Sequence, residues 1–151
     1  MGRRCLKVDV AAQRLEVWEG GEMVVSYPVS TSAYGLGFEE GSLKTPTGWF
    51  RICGKVGDGL PMGAVFKGRR WTGEIWDGSR GDEDAILTRV LLLDGLDREN
   101  ANTRERLIYV HGTNREDLIG TPSSHGCVRM RNGDILELFE RVCQGDVVKI
   151  E

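Results

Sequence analysis

Residues 6–29 read LKVDVAAQRLEVWEGGEMVVSYPV. Leu6, Val8 and Val10 alternate with Lys7 and Asp9, and the alternation resumes at Leu15 and Val17 after a polar break. A period of two puts the apolar side chains on one face of a pleated strand. Gly20-Gly21 then separates this run from residues 23–29, again strand-like, as a hairpin turn does. Two hairpin-connected strands plus a third are the reading.

Outward from this start the pattern stays β. Residues 49–53 predict a short strand, 85–93 and 107–111 buried strands, and 146–151 a final one. Residues 30–47 are a long Gly/Ser/Thr/Pro connection wrapping one side of a sheet. Residues 60–76, rich in Gly, Arg and Trp, predict short strands and loops lining a groove. Helical spacing is clear only over 132–142, where Ile135, Leu136, Leu138, Phe139 and Val142 make one stripe, with Asn132 as N-cap and Gly145 as stop. Helices do not alternate with strands, which disfavours a doubly wound parallel sheet. The expected fold is mostly β, with one main C-terminal helix.

The chain has 151 residues, which fits a single domain spanning 1–151 with a core of its own. A net charge of -3 argues against a general nucleic-acid binder. No apolar run approaches the ~18 residues of a membrane span. Arg3 and Arg4 are followed by strand-like sequence rather than by an apolar signal region, and Leu6 sits where myristoylation needs Ser or Thr. As given, the chain is expected to be cytoplasmic without a membrane anchor, or periplasmic or extracellular if an export segment precedes it. Cys5, Cys53, Cys127 and Cys143 form no CxxC pair and no zinc-site spacing, so free thiols and no metal or cofactor are expected.

Chemistry concentrates in residues 109–132, YVHGTNREDLIGTPSSHGCVRMRN, which hold both histidines, His111 and His125, beside Cys127. A thiol becomes a strong nucleophile when a base or cation favours its thiolate. A lone Cys is usually a small buried hydrophobe and a lone His a satisfied structural residue. Here Gly112, Gly120, Pro122 and Gly126 interrupt the segment, so it is no core helix or central strand. Cys127 is read as a catalytic thiol.

Other signals are weaker. The glycines of 35–41 miss the dinucleotide-loop spacing and lack a following helix. Asp77, Asp82, Glu83 and Asp84 read as a solvated acidic loop. Core packing accounts for Trp49 at least as well as a groove does. Trp71 and Trp76 are balanced between groove and core.

His111-Gly112-Thr113 and Ser124-His125-Gly126-Cys127-Val128-Arg129 resemble the signature of the L,D-transpeptidase catalytic (YkuD-type) family. The likeness extends through Lys44-Thr45-Pro46-Thr47-Gly48, Phe50-Arg51-Ile52, Ile86-Leu87-Thr88-Arg89 and Asn132-Gly133-Asp134, with Arg129 where some members carry Asn. The resemblance implies a β-sandwich-like catalytic domain acting on the tetrapeptide stem of peptidoglycan or on muropeptides. It implies attack by Cys127 at the L-centre of the diamino acid, loss of D-alanine and a thioester. Water then gives L,D-carboxypeptidase chemistry of murein recycling, the favoured outcome, and an amine gives a 3-3 cross-link. A carbapenem is the implied covalent inhibitor.

On this resemblance His111 is the base and His125 a support for the pocket or the thiolate. The Gly126 and Cys127 amides are candidate oxyanion donors. The Gly112 carbonyl or the Ser124 hydroxyl would orient the base. Arg129 would hold a substrate carboxylate or brace its loop, and Trp71 would line the substrate groove. A cysteine peptidase of L,L-peptides and a non-enzymatic muropeptide-binding or redox-sensing module are the competing readings.

Overall fold

The computed structural model describes residues 4–81 and 84–151. β1 (Arg4–Asp9), β2 (Arg14–Glu19) and β3 (Glu22–Ser30) form an antiparallel meander. The alternation sorts its faces: Leu6, Val8, Leu15, Val17, Tyr27 and Val29 are buried, while Lys7, Glu16 and Trp18 keep contact with solvent. Then come β4 (Gly48–Val56), β5 (Ala64–Lys67), β6 (Arg70–Ile75), β7 (Ile86–Gly95), β8 (Tyr109–Gly112), β9 (Val128–Met130), α1 (Asn132–Arg141) and β10 (Val147–Ile150).

The strands run β4-β10-β1-β2-β3-β9-β8-β7, and β7 pairs back onto β4, so this part of the sheet closes into a barrel-like sandwich. Closure leaves few unpaired edges. The β5–β6 hairpin branches from the N-terminal end of β7 through Val65↔Leu87 and Phe66↔Ile86. The main core gathers the inward residues of the barrel with Ile135, Leu138 and Phe139 of α1 and Val142 just after it. A second, smaller cluster of Ala64, Phe66, Val90 and Tyr109 lies on the other face of β7 and β8, with Cys127 and Leu92 packed against it.

β8 and β9 are parallel neighbours, registered Val110↔Val128, His111↔Arg129 and Gly112↔Met130. Val110, Val128 and Met130 belong to the main core. Strand alternation therefore turns Tyr109, His111, Cys127 and Arg129 to the opposite face, the one that meets the hairpin cluster.

Two expectations change. Trp49 is 41% exposed, because β4 turns Phe50 and Ile52 inward; its ring instead lies under Lys149 Nζ at 4.8 Å. Asn132 is the first helical residue rather than the cap, which falls on Arg131 without a side-chain bond. Its N–H is met by Glu116 Oε2 at 2.8 Å, and its side chain is turned to other work.

Candidate active site

His111 is 1% exposed, and its Nδ1 lies 2.6 Å from the Gly112 carbonyl oxygen. A carbonyl only accepts, so Nδ1 carries the hydrogen and Nε2 keeps its lone pair. Gly112 has room for no side chain: a Cβ there would strike Asn132 Oδ1 and come within 2.6 Å of the Leu87 carbonyl. Asn132 occupies that space to accept from Thr88 Oγ1 at 2.6 Å and donate to the Thr113 carbonyl at 2.9 Å. The start of α1 is thus bolted to β7 and to the strand bearing His111.

Cys127 follows a tight loop. Its sulfur accepts from the Tyr109 N–H at 3.3 Å and donates to the Leu107 carbonyl at 3.4 Å. Ser124 Oγ donates to the Cys127 carbonyl at 2.6 Å and accepts from the Gly126 N–H at 3.2 Å. Two expectations are corrected here. Ser124 shapes the cysteine loop instead of orienting the His111 ring. The Gly126 amide is spent on Ser124, leaving the Cys127 N–H as the loop's oxyanion donor candidate. Gly126 itself has φ +122, and a Cβ would meet Ile108 Cδ1 at 3.2 Å and the Lys44 carbonyl at 3.3 Å, so both conformation and space demand glycine.

Arg129 is 3% exposed and ion-paired to Asp84, Nη2 to Oδ2 at 2.9 Å. The same Oδ2 lies 3.5 Å from His125 Nδ1. Asp84 is therefore no solvated acid of a loop; Asp82 and Glu83, from the same cluster, lie outside the described residues. The His125 side chain is 52% exposed, and its ring stacks with Tyr34, centroids 6.2 Å apart. The two histidines thus differ: one buried and locked, the other half-exposed. In the sequence Asp84 reads only as a loop acid and Tyr34 carries no signal, because each stands in a polar, Gly-rich stretch with no motif of its own.

Burial, the largest influence, lowers the His111 pKa; the Asp84 carboxylate and the Gly112 carbonyl raise it, and Arg129 lowers it. Burial pushes the Cys127 thiol up to about 12, against the Tyr109 N–H, which favours the thiolate. Near pH 7 the thiol and the imidazole are both neutral, His111 on β8 and Cys127 at the entry to the neighbouring β9. At rest the Cys127 thiol donates to the Leu107 carbonyl, so acyl transfer by this pair would require the thiol proton to turn to the unprotonated His111 ring as sulfur attacks.

A groove of about 610 Å³ runs beside this face, lined among others by Phe66, Glu74, Trp76, Asp84 and Asn114. Its aromatic wall is Phe66 and Trp76. Trp71, expected there, is 40% exposed on β6 and does not line it; its indole N–H goes to the Glu74 carbonyl at 2.9 Å. A second depression of about 320 Å³ is lined by Leu36, Gly37, Phe38, Glu39, Ser42 and Lys44, on the Gly126 side. Among the described residues, no three His, Cys, Asp or Glu side chains gather to hold a metal ion, and no helix is long and apolar enough to cross a membrane.

The chain belongs to the L,D-transpeptidase catalytic domain (YkuD) family, whose model matches residues 3–150. It is 28% identical over 155 aligned positions to a probable L,D-transpeptidase, YcfS, of Escherichia coli K12, covering 98% of this chain and 44% of the relative. The chain spans less than half the length of the curated relatives it matches. Its fold is that of an L,D-transpeptidase, LdtMt1, solved in complex with imipenem (TM-score 0.63, 19% identity, 99% of this chain and 59% of that one). The same holds for L,D-transpeptidase 3 of Mycobacterium tuberculosis, solved with a faropenem-derived adduct (TM-score 0.63, 16% identity, 99% of this chain and 60% of that one).

Proposed function

We propose that this chain is a cysteine acyltransferase acting on the tetrapeptide stem of peptidoglycan or muropeptides. The observation that carries the reading is the buried His111 ring, tautomer fixed by the Gly112 carbonyl, on β8 beside β9, the strand that Cys127 immediately precedes. Cys127 Sγ attacks the carbonyl at the L-centre of the diamino acid as its proton passes to His111 Nε2. The carbonyl oxygen takes the negative charge against the Cys127 N–H. The C–N bond to D-alanine then breaks, its nitrogen takes the proton from His111, and a thioester remains. Arg129, paired with Asp84, braces the site between them.

The acceptor we favour is water. Water oxygen attacks the thioester carbon as its proton passes to His111 Nε2, the C–S bond breaks, and the leaving sulfur takes that proton back, giving tripeptide and free thiol. A second reading is supported by the depression beside Gly126, which offers a concave surface to a second stem whose amine would give a 3-3 cross-link. The test is product analysis by mass spectrometry after mixing enzyme with a disaccharide tetrapeptide. Tripeptide plus D-alanine is expected, and a cross-linked dimer would favour the second reading. No D-alanine from folded wild-type enzyme, or undiminished release by Cys127→Ala, would refute the proposal. L,L-peptides run in parallel separate it from ordinary peptidase activity.

A further inference from the structure

We infer that Thr45 is a positioning residue for this chemistry, its buried hydroxyl fixing the Gly126–Cys127 peptide so that the Cys127 N–H is aimed at the developing oxyanion. The inference rests on Cys127 being the nucleophile. Thr45 is 0% exposed, and its Oγ1 donates to the Gly126 carbonyl at 2.9 Å while accepting from the Ser32 N–H at 2.9 Å. A hydroxyl has one hydrogen, and Ser32 needs an acceptor, so that hydrogen is committed to Gly126. The described residues contain no cis peptide. In a planar trans unit the C=O and the following N–H point in opposite directions. Holding the Gly126 carbonyl toward Thr45 therefore sends the Cys127 N–H away from it.

Thr45 is itself held. Its N–H goes to the Gly35 carbonyl and its carbonyl accepts from the Gly37 N–H, both at 3.0 Å. Arg106 donates to the flanking carbonyls, Nη2 to Lys44 at 2.6 Å and Nη1 to Gly37 at 3.1 Å. Pro46 next in sequence restricts the Thr45 backbone to extended conformations. On the far side, Ser124 fixes the next peptide through the Cys127 carbonyl and consumes the Gly126 N–H. The loop's oxyanion donor thus depends on a hydroxyl remote in sequence.

The test compares Thr45→Val, which keeps shape and loses the donor, with Thr45→Ser, which keeps the donor. Two rates are read: D-alanine release, and alkylation of Cys127 by iodoacetamide across pH, followed by mass on the Cys127 peptide. Alkylation at a saturated carbon develops no oxyanion, so it reports the thiol alone. Thr45→Val should lose roughly 10–100-fold in kcat, less than or equal to removal of a whole donor. Its KM and its alkylation profile should stay within about twofold of wild type, and Thr45→Ser within about threefold in kcat. Wild-type kcat in Thr45→Val, alkylation falling in step with kcat, or Thr45→Ser as slow as Thr45→Val would each overturn the inference. If Thr45→Val does not accumulate folded, Thr45→Ala carries the same comparison. Cys127→Ala, run alongside, separates the two failures: turnover there removes the nucleophile assignment itself.

Discussion

At the scale of single residues, the two histidines carry different expectations. His111 is buried, tautomer-locked and opposite Arg129, whereas His125 is half in solvent between Asp84 and Tyr34. A positioned base contributes ~10²–10⁴-fold. His111→Ala should lose kcat by that order, and His125→Ala by less; steady-state D-alanine release decides, and the reverse ranking in folded protein would exchange the roles. The pH dependence follows from the same burial. His111 must be unprotonated to accept the thiol proton, and burial lowers its pKa below the usual 6.5. Activity should therefore hold down to pH 6.5 and fall only as pH drops below it. An acid limb centred well above 6.5 would contradict a buried base. Sequence alone singles out Cys127 and His111 as candidates because the motif is local. Asp84 reads there as a solvated loop acid, because only the fold joins it to Arg129. Read from the motif, the oxyanion role is shared between two amides, because a serine taking one of them cannot be seen in a string.

At the scale of elements, β7, β8, β9 and the start of α1 form one unit around Gly112 and Asn132. Gly112→Ala should force Asn132 and the Leu87 carbonyl apart. Overpacking of this kind typically costs ~1–3 kcal/mol. A lowered midpoint of thermal unfolding together with reduced activity is expected, and an unchanged midpoint would show that α1 yields freely. The strands were legible wherever one face is buried, as in β1–β3, because alternation is then obligatory. β9 was not, because its three residues are too few to show a period and a Gly-rich loop leads into it. Asn132 resembled a cap because caps and buried amides draw on the same residue type; its partner Thr88 lies 44 positions away.

At the scale of the whole molecule, a closed barrel carries the proposed site on an outer face, between a hairpin groove and the 35–45 connection. Composition and alternation indicated a β fold with one helix; the closure of β7 onto β4 was illegible, since pairing partners far apart leave no local trace. The arrangement predicts that a carbapenem acylates Cys127, because a strained β-lactam carbonyl meets the same sulfur and N–H as the stem. Intact mass should rise by one inhibitor on wild-type protein and not on Cys127→Ala; an adduct persisting in the variant would locate the reactive group elsewhere. The most direct measurement uses the substrate itself: intact-mass analysis of enzyme quenched during turnover of a disaccharide tetrapeptide, followed by peptide mapping. The account predicts an adduct of substrate minus D-alanine, on the peptide holding Cys127 and labile to hydroxylamine as a thioester is. D-alanine release in a quenched sample with no such adduct, and the same release from Cys127→Ala, would contradict it.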